Sequence, residues 1–143
     1  MATAITISEG VTLAIHGISV IAYKSPQRLN VKQMAEILKS SEAHLAKVFQ
    51  KLSRAGLVNS LRGPHGGFAV SRSFDKITFL DVYEAIEGKL QRDICPLGGK
   101  KCVFNGCSIG DSMCELSNKL YDSLKRSTLQ ELVDNLDIKK FKL

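Results

Sequence analysis

The stretch Leu52-Ser53-Arg54-Ala55-Gly56-Leu57-Val58-Asn59-Ser60-Leu61-Arg62-Gly63-Pro64-His65-Gly66-Gly67-Phe68 holds one helix end and one sharp chain reversal. Gly56 suits a left-handed closure of a helix ending there, since it has no Cβ to obstruct that conformation. Leu57, Val58, Leu61 and Arg62 then approach Gly63-Pro64-His65-Gly66-Gly67, and Phe68, Ala69, Val70 and Ser71 return. Glycines at a tight reversal between two short apolar runs predict a β-hairpin. A basic residue stands at each flank, Arg62 and Arg72.

Upstream of this stretch the apolar spacing is helical. A helix signal starts near Ser8 and runs through Val11, Ala14, Ile15, Ile18 and Ala22, with Pro26 limiting its extension. Asn30 is a suitable cap for a second, short helix that buries Val31, Met34, Ala35 and Leu38. Ser40 and Ser41 punctuate the chain before a third helix. There Leu45, Val48, Phe49 and Leu52 follow the i, i+3, i+4, i+7 pattern, and the other face carries Ser41, His44, Lys47 and Lys51. Two helices around a tight turn, the second basic on its outer face, suit a recognition helix in a DNA major groove. Many unrelated helix pairs share that pattern; the hairpin that follows makes it a winged helix. Arg62 and His65 then lie near the wing tip, where an arginine can enter the minor groove or touch phosphate. A purely structural hairpin and a protein-binding winged helix are the alternatives.

Charge follows the same division. The chain has 143 residues and a net charge of +6, from 20 basic and 14 acidic residues. Residues 24–76 hold ten of the basic residues against Glu36, Glu42 and Asp75, so the positive excess lies in the first half. This length suits one domain plus an oligomerisation extension. The sequence contains neither a run of eighteen apolar residues nor a basic-then-apolar leader, which predicts a soluble, cytoplasmic protein.

The second half reads differently. Thr78 caps a fourth helix with Leu80, Val82, Tyr83 and Ile86 apolar, ending by Gly88; Tyr83 is expected in the core. From Gly88 to Gly110 no helical or strand period persists, and all four cysteines follow in short order: Cys95, Cys102, Cys107 and Cys114. In a reducing compartment such a group favours metal binding or redox chemistry over structural disulfides. Their spacings, six, four and six intervening residues, match neither paired zinc knuckles nor the ferredoxin run, so spacing alone identifies no metal. Soft thiolates leave iron–sulfur, zinc or copper(I). A long helix over residues 107–127 carries Ile109, Met113, Leu116, Leu120 and Leu124; Cys114 lies within it, where a small core or interface residue is expected. That stripe needs a partner, and a second copy supplies one. A homodimer would place two recognition helices about one DNA turn apart, on an approximately palindromic double-stranded operator. Leu129, Leu132, Val133 and Leu136 make a short docking helix. The expected organisation is a winged helix-turn-helix head over 1–88, a Cys-rich loop over 89–107, and dimerisation and docking helices over 108–143. The fold class is mainly α with a small β-hairpin wing.

The stretch quoted first, together with Ile77-Thr78-Phe79-Leu80-Asp81-Val82-Tyr83 and Ser127-Thr128-Leu129, resembles the winged helix-turn-helix repressor family that includes the iron–sulfur cluster regulator IscR, the nitric-oxide-sensing NsrR and the cysteine regulator CymR. The resemblance implies a transcriptional repressor, not an enzyme. It also implies one iron–sulfur cluster per subunit, 2Fe-2S or 4Fe-4S, on Cys95, Cys102 and Cys107. Here the middle cysteine is displaced by one residue from the family spacing, and Gly110 stands where one subgroup has a histidine. By resemblance to the other subgroup, Glu9 is the preferred fourth ligand, supplied across the dimer. Without the resemblance, Glu9 is a favourable acid in a helix's first turn. Cluster loss, oxidation or nitrosylation would then change operator affinity. The rivals are a cluster-free thiol/disulfide redox regulator, a zinc-stabilised dimer, and a winged-helix interaction protein that binds no DNA. Phosphate loops, paired carboxylates and nucleophile–base pairs are missing from the sequence, which argues against catalysis.

Overall fold

A computed structural model describes residues 7–92 and 106–137. In chain order it contains α1 (Glu9–Lys24), α2 (Val31–Leu38), α3 (Glu42–Arg54), β1 (Val58–Leu61), β2 (Gly67–Val70), a 3-10 turn (Phe74–Lys76), α4 (Phe79–Glu87), α5 (Ser108–Arg126) and α6 (Leu129–Asp134). Helix starts coincide with side chains that satisfy the otherwise unpaired N–H groups. Ser8 accepts from the Val11 N–H at 3.2 Å and Ser41 from that of His44 at 3.4 Å. Asn30 with Gln33, Thr78 with Asp81 and Thr128 with Glu131 form reciprocal capping boxes. The turn between α2 and α3 passes through Lys39 in the left-handed region (φ +51°), and Gly56 closes α3 at φ +71° as its position after Leu52 predicts.

α1 runs through the middle of the molecule, packed by α2, α3, α4 and α6. Its buried residues include Val11, Ala14, Ile18 and Ile21, which meet Met34 of α2 and Leu45, Phe49 and Leu52 of α3. The tightest point is Gly17. A Cβ there would lie 2.7 Å from Cε2 of Phe49, a ring with no solvent exposure. The same ring meets Phe68 of β2, with centroids 4.9 Å apart and planes at 51°. One side chain thus joins α1, α3 and the hairpin.

β1 and β2 pair antiparallel in the register Val58↔Val70 and Leu61↔Gly67, giving the expected wing. The sequence did not indicate the third element of this wing. Leu29 pairs with Phe68 through two backbone hydrogen bonds, of 2.8 and 3.3 Å, so the chain just before α2 forms a bridge beside β2. Arg28 adds side-chain bonds from Nη1 to the carbonyls of Asn59 (3.3 Å) and Gly67 (3.4 Å). Gly67 accommodates this approach, since a Cβ there would lie 2.7 Å from the Leu29 carbonyl.

At the other end α6 returns to the head. The Leu129 N–H donates to the Ile77 carbonyl (2.8 Å), the Phe79 N–H to that of Ser127 (3.0 Å), and Leu129 is buried. α5 packs against α4, yet Gly110 and Leu124 are its only fully buried residues. Ile109 and Leu116 are exposed, 59% and 42%. On the polar side of α5, Lys119 lies 2.6 Å from Glu115 and its hydrogen bond and charge hold that carboxyl below its ordinary pKa. Tyr83 is half-buried against the core. Among the described residues no helix is long and apolar enough to cross a membrane.

Gly17→Ala is expected to destabilise the fold by about 1–3 kcal/mol, because a rigid ring rather than a flexible chain end must move. Urea denaturation measures this, and Phe49→Leu in the same chain should restore part of the loss. A Gly17→Ala chain as stable as the parent contradicts the packing described.

Candidate nucleic-acid interface

The buried stripe of α3, Leu45, Val48, Phe49 and Leu52, fixes which side faces out. Ala43, Lys47, Gln50 and Arg54 are exposed and lie opposite that stripe at helical spacing. Ser41 sits at the N-cap with its hydroxyl oxygen on the His44 N–H. His44, one turn in, is half-exposed, and its Nδ1 lies 3.6 Å from Oε1 of Glu9 in the first turn of α1. Lys47 is exposed near the middle of the helix. Lys51 is directed elsewhere: its Nζ donates to the Ile86 carbonyl at the end of α4, at 2.8 Å. Arg62 and His65 are exposed at the hairpin turn; Arg62 lies across a groove from α3, whereas His65 lies toward Gln27, Asn30 and Gln33 at the start of α2. The structure thus brings Ser41, His44 and Lys47 onto one helix and sets Arg62 across the groove from it, with His65 at the same hairpin turn but toward α2. Lys51 bridges α3 and α4 instead.

Two arginines flanking the outer stripe are engaged within the fold. Arg72, past the hairpin, pairs with Asp81 at the start of α4 (3.5 Å), and Arg28 holds the wing base. Lys47, Arg54 and Arg62 have no ion-pair or hydrogen-bond partner among the described residues. A groove of about 420 Å³ separates the second half of α3 from the hairpin, with Gln50, Ser53 and Arg54 on one wall and Ser60, Arg62 and Phe68 on the other. The sequence reading passed over Gln50 and Arg54. Their signal was available, because Lys47, Gln50 and Arg54 recur at i, i+3 and i+7 opposite the apolar stripe.

The expected iron–sulfur centre is corrected. Among the described residues no group of three or more His, Cys, Asp or Glu side chains is placed to hold a metal ion. A cluster gathers its ligands around one centre. Here Glu9 pairs with His44, while Cys107 is the N-cap of α5, its sulfur accepting from the Gly110 N–H at 3.4 Å. Cys114 is a free, half-buried thiol within α5. Cys95 and Cys102 lie outside the described residues. The donors among the described residues do not fit the metal site that the family resemblance implies.

Comparison with known proteins agrees with the fold. A profile of the Rrf2 family, described as an iron-dependent transcriptional regulator, matches residues 7–135. A protein of Aquifex aeolicus, provisionally named an HTH-type transcriptional regulator, is 30% identical over 130 residues, covering 89% of this chain and 90% of its own. Among solved structures, CymR, the global cysteine regulator of B. subtilis, superposes with a TM-score of 0.79 at 23% identity, over 93% of this chain and 99% of that one. T. potens IscR gives 0.76 at 20% identity, over 96% and 92%. These structural likenesses bear on the fold. The profile match along nearly the whole described chain, on a winged helix with a basic outer stripe, establishes that the chain belongs to the Rrf2 family of DNA-binding transcriptional regulators and is not an enzyme.

Proposed function

We propose that the chain is a cytoplasmic transcriptional repressor that binds an approximately palindromic duplex operator as a homodimer, and that thiol oxidation changes its operator affinity. The observation that carries the DNA assignment is the unpartnered basic stripe of α3 beside an exposed wing. Ser41, His44 and Lys47 approach the major groove from α3, and Arg62 and His65 approach the neighbouring minor groove from the hairpin. Lys51 supports the helix from behind through Ile86. Residues 1–88 act as the reading head, 89–107 as the cysteine segment, and 108–143 as dimer and docking helices.

The exposed apolar positions of α5, Ile109 and Leu116, support the dimer. Burying such side chains contributes about 25 cal/mol per Å² of apolar surface removed from water, and a second α5 presents the same stripe. For the switch, Cys107 is the described thiol best placed. It caps α5, so any change at its sulfur acts on the start of the helix that joins the two subunits. Oxidation joins two thiols as a disulfide and passes their two protons and two electrons to hydrogen peroxide, whose O–O bond breaks to give two waters. Cys95 and Cys102 are the candidate second thiols in the sequence.

Fluorescence anisotropy on duplexes recovered by genomic-fragment selection tests the DNA assignment. Lys47→Ala should weaken binding and leave the folding midpoint in place. Lys51→Ala should lower stability by about 0.5–1.5 kcal/mol, the typical worth of one hydrogen bond, with less effect on DNA. Equal losses of affinity with unchanged stability in both variants would contradict this division of roles. For the switch, peroxide should change the operator affinity of the parent chain and leave Cys107→Ser unaffected. An identical response in the variant would exclude Cys107.

A further inference from the structure

We infer that the groove between the second half of α3 and the hairpin seats a DNA backbone phosphate, with Arg54 as its principal donor. This rests on the DNA-binding geometry proposed above. A helix in a major groove and a wing tip in the adjacent minor groove are separated on the duplex by one sugar–phosphate strand. That strand must therefore pass between α3 and the hairpin. The protein feature at that place is a groove of about 420 Å³.

Its lining suits an anionic oxygen. Gln50, Ser53 and Arg54 line it from α3, and Ser60 and Arg62 line it from the hairpin. These are the donor types that most often meet phosphate and sugar oxygens. The neighbouring cations are already committed: Lys51 to the Ile86 carbonyl, Arg72 to Asp81, and Arg28 to the wing base. Arg54 is exposed and has no partner among the described residues. The groove is also held in shape. Its wall residue Phe68 packs on the buried Phe49 ring and is tied to Leu29 by two backbone hydrogen bonds. A preformed seat loses less conformational freedom when it binds. The other role open to Arg54 is that of a cation in the last turn of α3, favourable to the helix dipole and unrelated to DNA.

The experiment is a salt titration of binding with the full-length chain, on a selected operator and on an unrelated duplex, for the parent, Arg54→Ala and Arg54→Lys. Neutralising one phosphate contributes about 0.9 to the slope of log K against log salt. Arg54→Ala should reduce that slope by about 1, weaken both duplexes roughly five- to tenfold at 0.1 M salt, and leave their affinity ratio unchanged. Arg54→Lys should restore the slope. An unchanged slope in Arg54→Ala overturns the proposal, and a lowered melting temperature alongside it would assign Arg54 to the helix dipole. A loss confined to the operator also overturns it, by making Arg54 a base reader. A parent chain that shows no salt-dependent binding to either duplex overturns the DNA geometry itself, and this seat with it.

Discussion

The buried ring of Phe49 is the contact on which the rest of the head depends. It lies over Gly17 of α1 on one side and against Phe68 of β2 on the other. α3 and the wing are therefore set relative to each other through one rigid side chain, and both are set on α1. Close packing makes such an arrangement resistant to small displacements. In the proposed reading of two grooves of one duplex, the separation of helix and wing must match the separation of the grooves. The ring supplies that constraint directly, and the Leu29–Phe68 bridge with the Arg28 bonds supplies it again from the chain before α2.

The same economy of contacts explains how the second half of the chain is attached. α6 is short, with a single fully buried residue, yet its first residue, Leu129, donates its N–H to the Ile77 carbonyl just before α4, and the Ser127 carbonyl at the end of α5 accepts from the Phe79 N–H at the start of α4. α5 is thereby held at both its neighbours, α4 beside it and α6 after it, while much of its apolar stripe faces outward. A shift at the start of α5, where Cys107 caps the helix, has a short route to the head through α4, whose C-terminal carbonyl at Ile86 is bonded to Lys51 of α3. α3, α4 and α5 form a contiguous packed series.

Much of this fold was legible in the sequence because its signals are local. Asn30 and Thr78 cap the helices they were expected to cap, Gly56 closes α3, and the glycine-rich turn makes the hairpin. Local patterns did not show which cations are free. Lys51 and Lys47 look alike on a helical wheel, and only the position of α4 separates them. Arg54 becomes interesting only once the hairpin is seen to lie across a groove from it. The metal expectation failed for a related reason. It transferred a ligand set by family resemblance, whereas ligation depends on three or four side chains meeting at one point. Glu9 instead meets His44, and Cys107 meets the amide of Gly110. The wing's bridge to Leu29 had no local signal, being a pairing between residues 39 positions apart.

Hydrogen–deuterium exchange of the full-length chain with and without operator DNA tests the central claim most directly. If α3 and the wing form one reading surface fixed through Phe49, operator binding should slow exchange together in residues 41–54 and 58–70, with α6 unchanged. Protection confined to α5 and α6, with α3 and the hairpin exchanging as in the free chain, would contradict it.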